Sequence, residues 1–432
     1  MLTYYIQLAL NNLRRHKLLT ALTVLVMAIG IGVCMTALTV LQILSSDPIP
    51  QKSGKLFHPQ LDAEDMAQYA PNREPQLQLT RYDAEALLKA KRADRQAMMN
   101  SGMVAIDPGT VGANPFYMES RFTTADFFAL FDAPFRYGSG WSAADDERAA
   151  LSVVVSKELN DRVFGGADSV GRKLLLNDRE FTVVGVLDAW RFTPQFYDMG
   201  VRDLAYQDHV FVPFSTALNL ALPRTGTLNC WGEETADPTA LNANCAWVQF
   251  WVELGTPEKA RAYRDFLDNY SAEQHASGRY LRPVNTRLRN VNEWLQYNEV
   301  VPRDVKLQLW LAIGFMIVCL LNVVGLLLAK FLRRSAEIGI RQAMGASRSD
   351  IFNQHLVESA IVGLAGVLPG IALSAFGLWI VQRLPGDYAK VASLSAFTLY
   401  GIVILALASS LLAGALPAWR ASRVSPAAQI RS

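Results

Sequence analysis

The sequence contains 432 residues, of which 51% are hydrophobic and 19% are charged, and its formal net charge is only +2. A typical soluble domain has about 25% charged residues, so part of this chain is expected to lie outside water. The small net charge, and a sequence without basic tracts interleaved with aromatic residues, argue against a nucleic-acid partner. The length is sufficient for two or three domains.

Four segments are long and apolar enough to cross a bilayer, which requires about 20 mostly apolar residues. We predict transmembrane helices at residues 18–44, 306–330, 351–383 and 396–419. The first segment is too long for the apolar part of a signal peptide, and no A-x-A cleavage pattern follows it. We interpret it as an uncleaved anchor, with a cleaved signal as the alternative.

Basic residues indicate how these helices are oriented, since cytoplasmic loops are enriched in lysine and arginine. Three basic residues lie in 1–17, five at the end of the second helix and within 331–350, and three in 420–432. These three segments are therefore predicted to be cytoplasmic, with the segment 45–305 and the loop 384–395 on the other side. Within residues 1–17, apolar residues recur at helical spacing, which predicts an interfacial helix. An extension of the helix predicted at 18–44 is the alternative.

The segment 45–305 has the composition of a mixed α/β domain. A buried strand is predicted at 151–156, a hairpin turn at Asn177–Asp178 and a helix capped by Thr256. Residues 116–206 contain a strand, a helix and a hairpin of their own. We therefore predict two subdomains, with 116–206 inserted between flanking parts that pair with each other.

The sequence carries no catalytic signature. It lacks H-E-x-x-H, G-x-S-x-G, zinc-type spacing of cysteine and histidine, and the nucleotide-binding pattern G-x-x-x-x-G-K-[ST]. We expect no catalytic residue, metal or cofactor in this chain. Cys230 and Cys245 are 15 residues apart in the outer domain, and a disulfide is predicted there if the compartment is oxidising; two unpaired cysteines are the alternative.

The stretch "RRSAEIGIRQAMGASRSDIF", between the second and third apolar segments, is short and basic. Gly345 predicts the end of a helix near Met344, because glycine adopts positive φ without penalty. Ser347 and Asp350 have the spacing of a capping box, which predicts the start of the next helix. The result is a shaped elbow at the cytoplasmic face. The simpler alternative is a positively charged loop that only orients the protein.

The third apolar segment is predicted to be broken, because glycines and Pro369 interrupt it. Glu358 is a carboxylate within this segment, and such residues are functional candidates. We weigh two roles for it, pairing with a local arginine and a transport or coupling role. The segment 292–310 is expected to form a stalk that continues the second helix, bent or interrupted at Pro302.

Two stretches near the C-terminus, "AEIGIRQAMGASRSDIFNQHLVESAIVGLAGVLPGIALS" and "LPAWRASRVSPAAQIR", resemble the FtsX-like permease domain of ABC transporters. The stretch "VVVSKELNDRVFGGADSVGRKLLLNDREFTVVGVL" resembles the MacB-type periplasmic core domain. The order of one helix, a large domain and three helices agrees with that likeness. The chain is therefore similar to type VII, MacB-like ABC permeases.

The resemblance implies an α-helical protein of the bacterial inner membrane with a large mixed α/β periplasmic domain. Such permeases work as homo- or heterodimers with ATPase subunits, which bind ATP and Mg, and they transmit movement to the periplasm rather than conduct substrate. Expected partners are a separate ABC ATPase, a second permease chain, a periplasmic adaptor, an outer-membrane channel and membrane lipids. The ATPase is expected to be separate because this sequence begins directly at the membrane.

The family's ATPase-coupling segment maps onto the elbow, at Glu337, Ile338, Ile340, Arg341, Met344, Gly345, Ser347 and Arg348. The implied function is export of a periplasmic substrate such as a peptide or an antibiotic. Two alternatives within the same superfamily are release of lipoproteins, of the LolC/LolE kind, and FtsX-like regulation of a periplasmic partner.

Overall fold

The structure is a computed structural model and describes residues 6–8, 17–109, 114–199, 207–232, 235–332, 338, 340–342, 344–383 and 395–422. These residues form two compact units. The helical unit falls within Met1–Ser46 and Val301–Ser432, and the sheet unit is Asp47–Val300. The predicted interfacial helix over 1–17, the loop 384–395 and the tail after 422 lie outside the described residues, apart from 6–8, 17 and 395.

Helices and strands alternate along the sheet unit, whereas the helical unit is built of helices. The helices are α1 (Lys17–Ser45), α2 (Arg81–Ala90), α3 (Phe127–Leu130), α4 (Ala143–Glu147), α5 (Lys157–Phe164), α6 (Phe214–Asn219), α7 (Pro257–Ala276), α8 (Val291–Tyr297), α9 (Arg303–Leu332), α10 (Arg348–Ala365), α11 (Val367–Val381) and α12 (Ala396–Ser422). The strands are β1 (Leu56–Leu61), β2 (Leu79–Thr80), β3 (Arg95–Asp107), β4 (Phe116–Thr123), β5 (Phe135–Gly138), β6 (Ser152–Val155), β7 (Lys173–Leu176), β8 (Arg179–Leu187), β9 (Val210–Pro213), β10 (Asn229–Cys230), β11 (Cys245–Glu253) and β12 (Thr286–Asn290).

Among the described residues, four helical stretches are long and apolar enough to cross a membrane, judged by length and composition: α1, α9, α10 with α11, and α12. This confirms the four predicted apolar helices. The third stretch is broken at Gly366, between α10 and α11, as the glycines and Pro369 predicted. Within the unit, α1 packs against α9, α11 and α12, and Thr39 Oγ1 lies 3.0 Å from Thr398 Oγ1.

The sheet unit is organised around one sheet with the strand order β12-β1-β11-β3-β4-β9-β6-β8-β5. Neighbouring strands are mostly antiparallel; β4 with β9 and β6 with β8 are parallel. Successive side chains of a strand point to opposite faces. Val153 and Val155 belong to one hydrophobic cluster, whereas Val154 belongs to the other. Both faces of the sheet are therefore covered by a core.

The predicted division into two subdomains needs correction. The flanking parts do pair with each other, since β1 pairs with β11 and β12. However, β9 lies between β4 and β6 in the sheet, so the central part extends beyond residue 206. One hydrophobic cluster contains both Phe57 from the flank and Val153 from the centre. Hydrogen bonds between strands join the two parts into one continuous sheet.

Local signals in the sheet unit had the predicted effect. Asn177 and Asp178 have φ values of 44° and 61° and turn the hairpin between β7 and β8. The Thr256 hydroxyl accepts a hydrogen bond from the amide of Lys259 at the start of α7. The expected stalk over 292–310 is not continuous: α8 ends at Tyr297 and α9 begins at Arg303, because Pro302 lacks an amide donor.

Cys230 and Cys245 are directly opposite each other on β10 and β11. Their sulfur atoms form a disulfide with an S–S distance of 2.07 Å. The disulfide ties the short strand β10 to β11, which lies in the middle of the sheet. Cys34 and Cys319 are buried free thiols of the helical unit.

Candidate functional site

The elbow begins with a helical segment that includes Ile338 and residues 340–342. It ends at Gly345, whose φ is +101°. The amide of Gly345 donates to the carbonyl of Gln342 at 3.1 Å, and the amide of Ala346 donates to the carbonyl of Arg341 at 3.0 Å. These two bonds define a Schellman motif. The helix stop is therefore present where glycine predicted it.

The next helix starts at once. The Ser347 hydroxyl accepts a hydrogen bond from the Asp350 amide at 3.2 Å, and Asp350 Oδ2 accepts one from the Ser347 amide at 3.0 Å. This reciprocal pair is a capping box, and α10 begins at Arg348. Only Gly345 and Ala346 lie between Met344 and the N-cap residue Ser347. The end of one helix and the start of the next thus follow each other closely, and the backbone between them has a defined shape.

Two contacts hold the elbow against the helices that surround it. Arg341 Nη1 donates to Gln354 Oε1 of α10 at 3.0 Å. Gln342 Nε2 donates to the carbonyl of Ser422, the last residue of α12, at 3.3 Å. Ile338 is only 6% exposed and belongs to the hydrophobic core of the helical unit. The described part of the elbow is therefore anchored to α10, to α12 and to the core of the helical unit.

The remaining face of the elbow is open. Ile340 is 62% exposed and Met344 is 76% exposed, and their spacing of four residues places them on one side of a helix. Ser347 and Arg348 are exposed beside them. Glu337, also predicted for this site, lies outside the described residues. The open face thus offers two apolar side chains next to an arginine.

A buried ion pair bridges the two helices on either side of the elbow. Lys330 Nζ, in the last turn of α9, lies 2.6 Å from Glu358 Oε1 of α10, and the two side chains are 4% and 0% exposed. His355 Nδ1 lies 3.6 Å from Glu358 Oε2. Pairing with a local arginine was one of the two roles weighed for Glu358, and its ion-pair partner among the described residues is Lys330 instead. Sequence analysis missed Lys330 as a site residue; its basic charge at a helix end was the available signal.

Small residues bring α10 and α12 into close contact just beyond this ion pair. A side chain at Gly363 would collide with the Ser410 hydroxyl, and one at Gly414 would collide with the Ser359 hydroxyl. Both serine hydroxyls donate to carbonyls of their own helices, at 3.0 Å. Each of the two helices therefore packs a serine against a glycine of the other helix. Such small residues allow two helices to approach closely in an apolar environment.

The sheet unit contributes a buried polar network. The guanidinium of Arg121 is fully buried and binds Asp198 at 2.5 Å and Asp208 at 3.0 Å. Tyr197 donates to Asp208 at 3.0 Å, and burial raises the pKa of Tyr197 well above its ordinary value.

Among the described residues, no group of three or more histidine, cysteine, aspartate or glutamate residues could hold a metal ion.

Comparison with known families identifies both parts of the chain. Residues 20–265 match the MacB-like periplasmic core domain, and residues 310–426 match the C-terminal domain of FtsX-like permeases. The chain therefore belongs to the FtsX/MacB-type permeases of ABC transporters. The family resemblance stated from the sequence is confirmed.

Relatives with curated descriptions are considerably longer than this chain. The pyoverdine export ATP-binding/permease protein PvdT of Pseudomonas aeruginosa is 25% identical over 366 residues, which are 84% of this chain and 49% of that protein. The macrolide export ATP-binding/permease protein MacB of Azoarcus sp. is 25% identical over 300 residues, 69% of this chain and 40% of that protein. The chain thus spans about half the length of PvdT.

One solved structure with a detectable likeness is the periplasmic region of MacB from Actinobacillus actinomycetemcomitans. The two share 15% sequence identity with a TM-score of 0.38, over 59% of this chain and 96% of that chain.

Proposed function

We propose that this chain is the permease subunit of an ABC exporter, which transmits ATP-driven movement from a separate ATPase to a periplasmic domain. The observation that carries the proposal is the elbow. A Schellman motif and a capping box shape its backbone, contacts to α10 and α12 anchor it, and one face stays open with Ile340 and Met344 exposed. A loop that served only to orient the chain by charge would need none of these features.

The proposed mechanism is mechanical. An ATPase docks on the open face of the elbow and moves it when the nucleotide sites close. The Lys330–Glu358 ion pair makes α9 and α10 move together with the elbow. Movement then reaches the domain formed by Asp47–Val300, which acts on the substrate outside the membrane. The ranges 18–45, 307–329, 359–381 and 396–419 contain no charged residue, which favours transmission of force over a water-filled path through the helices.

The proposed topology places the elbow and both termini in the cytoplasm and Asp47–Val300 in the periplasm. Arginine and lysine residues at the elbow and the chain ends support this orientation. The disulfide between Cys230 and Cys245 suits an oxidising compartment such as the periplasm.

The proposed assembly contains two permease chains and an ABC ATPase that supplies ATP and Mg binding, with a periplasmic adaptor and an outer-membrane channel beyond it. Family membership supports the ATPase and the dimer. The curated relatives are named export ATP-binding/permease proteins, which supports export as the activity. The sequence holds no nucleotide-binding pattern of its own. The exported substrate is proposed to be a peptide, an antibiotic or a similar compound.

Copurification with the coexpressed ATPase tests the docking site. Gly345→Pro is expected to abolish copurification, because proline cannot adopt the φ of +101° found there. Arg341→Glu is expected to do the same, because it breaks the bond to Gln354 and reverses a charge on the elbow. Both variants should still insert into the membrane.

Arg383→Glu serves as the matched charge-reversal control. Arg383 lies two residues after the end of α11, where its guanidinium stacks over Trp379, and the proposed topology places it on the other side of the membrane. This variant is expected to copurify normally. If the two elbow variants copurify as well as the wild type, the docking role is wrong.

A further inference from the structure

The sheet unit has a cavity of about 620 Å³ between one face of α7 and the chain segment that leads into β1. The residues of α7 that line it are Pro257, Ala260, Arg261 and Arg264. Their spacing of three and four residues places them on one side of the helix. Residues from the segment 50–55 line the opposite side. The volume is within the range of ligand sites in proteins, about 300–1,000 Å³.

All three charged residues that line this cavity are basic: Lys55, Arg261 and Arg264. Each of them is exposed, so a ligand can reach their side chains. Arg261 pairs with Glu258 at 3.0 Å. In the described part of the chain, Lys55 and Arg264 have no ion-pair partner. The cavity therefore has an excess of positive charge, which favours an anionic ligand.

The backbone around the cavity is held by regular secondary structure. Leu56 pairs with Glu253 in the antiparallel ladder of β1 and β11. The amide of Leu254 donates to the carbonyl of Lys55 at 2.8 Å. Two residues later, Thr256 caps the start of α7. Lys55 is thus fixed beside the first turn of the helix that carries the arginines, and a site built on such elements is precise.

The cavity is close, along the chain, to the first apolar helix. Pro50 follows Ser45, the last residue of α1, by five positions. An extended chain covers at most about 3.6 Å per residue, so covalent linkage alone keeps Pro50 within roughly 18 Å of the end of α1. Under the proposed topology, that end of α1 lies at the outer surface of the inner membrane, where phospholipid headgroups are the most abundant anions.

Apolar groups lie beside the charges of the cavity. Pro50 and Pro257 are exposed, and Ala260 is half-buried. A small inorganic anion would use only the basic side chains. An anionic phospholipid carries its phosphate next to apolar carbon atoms and can use both kinds of contact.

We propose that this cavity binds the headgroup of an anionic phospholipid such as phosphatidylglycerol. The lipid phosphate pairs with Lys55 and Arg264, and the carbon atoms next to the phosphate contact Pro50 and Pro257. The bound headgroup holds the sheet unit to the membrane surface close to where the chain leaves α1. The inference uses the proposed topology only to name the leaflet, and it does not depend on the coupling role of the elbow.

Native mass spectrometry of the full-length chain in detergent tests the proposal. Dimyristoyl phosphatidylglycerol, dimyristoyl phosphatidylcholine and inorganic phosphate are titrated separately. Phosphatidylglycerol is expected to bind at least ten-fold more tightly than phosphatidylcholine, whose headgroup has no net charge. Equal binding of the two lipids would overturn the proposal. Inorganic phosphate that binds as tightly as phosphatidylglycerol would show a site for free anions and contradict the assignment to a lipid.

Two double variants locate the site. Lys55→Gln with Arg264→Gln is expected to weaken phosphatidylglycerol binding at least ten-fold, because each basic residue contributes about five-fold at an anionic lipid surface. Its binding of phosphatidylcholine should not change.

Lys89→Gln with Arg179→Gln is the matched control. It removes the same charge at exposed positions on α2 and β8, which do not line the cavity, and it should bind phosphatidylglycerol like the wild type. Thermal unfolding checks that each variant is folded. A folded Lys55→Gln, Arg264→Gln protein that keeps the wild-type affinity would contradict the site, and so would an equal loss of affinity in the control.

Discussion

Nζ of Lys330 lies 2.6 Å from Oε1 of Glu358, and both side chains are almost completely buried. The two residues are 28 positions apart, with the elbow between them. Burial of a single charge is costly, whereas a close pair offsets much of that cost. The pair therefore fixes the spacing of α9 and α10 at the point where the proposed ATPase would act.

Removal of one partner of this ion pair should destabilise the helical unit strongly. Glu358→Gln leaves Lys330 buried without an opposite charge, with an expected loss of about 3–5 kcal/mol. The double variant Lys330→Met with Glu358→Leu should recover most of that loss, because it removes both charges together. The measurement is the temperature at which the detergent-solubilised protein loses its monodisperse peak. If the double variant is no more stable than Glu358→Gln, buried charge is not the cause.

The contact between α10 and α12 predicts a compensating exchange of two residues. Gly363→Ala should lower the unfolding temperature, because its side chain would collide with the Ser410 hydroxyl; overpacking typically costs about 1–3 kcal/mol. Adding Ser410→Gly should restore only part of the stability, because the carbonyl of Ala406 would still lie 2.7 Å from the new side chain. Gly325→Ala in α9 is the control, since nothing lies within 4 Å of a side chain there. A loss of stability in the control equal to that of Gly363→Ala would contradict the packing argument.

The sheet unit should lose stability in acid because of His58. This residue is 2% exposed and stacks on Trp294 with ring centroids 3.9 Å apart. Burial, helped by the charge of Arg289, lowers its pKa to about 3 from an ordinary value of 6.5. The unfolded chain therefore binds more protons than the folded one between about pH 6.5 and pH 3, and stability falls as the pH drops through that range. The full shift corresponds to roughly 5 kcal/mol.

His58→Phe isolates this effect, because it keeps a ring against Trp294 and removes the titrating group. Urea unfolding followed by tryptophan fluorescence at pH 7.5 and pH 5 provides the measurement. The wild type should lose more stability at pH 5 than the variant does. Burial also lowers the pKa of His209, but that residue is present in both proteins and cancels. Identical pH dependence in the two proteins would count against the buried neutral histidine.

Loss of the disulfide between Cys230 and Cys245 should destabilise the sheet unit. The bond closes a loop with a sequence separation of 15, for which the entropic contribution is about 3 kcal/mol. The double variant Cys230→Ser with Cys245→Ser should therefore unfold at a lower temperature in calorimetry, and a reducing agent should have the same effect on the wild type. Replacement of the free thiols Cys34 and Cys319 by alanine is the control. This variant keeps the disulfide, so a reducing agent should lower its unfolding temperature as much as that of the wild type.

Local backbone signals were predictable because they involve neighbours in the chain. Gly345 ends a helix since glycine adopts positive φ, and Ser347 starts the next helix since its hydroxyl lies near the amide of Asp350. The hairpin turn at Asn177–Asp178 follows the same logic. None of these depends on distant parts of the molecule.

The 13-residue strand β3 shows where such reasoning stops. Its sequence "RQAMMNSGMVAID" has no alternation of polar and apolar residues, because most of its residues are buried on both faces of the sheet. Its conformation depends on hydrogen bonds to β4 and β11, on either side. The continuous sheet, rather than two subdomains, follows from the same distant pairings.

By itself, the sequence determined the four apolar helices, the elbow and the family, because hydrophobic length, glycine and capping residues act locally. Only the tertiary structure decided that Glu358 pairs with Lys330 and that Arg121 pairs with Asp198 and Asp208. Such relationships depend on the direction of side chains from separate helices and strands. Folding brings them together, and no spacing in the chain encodes the distances between them.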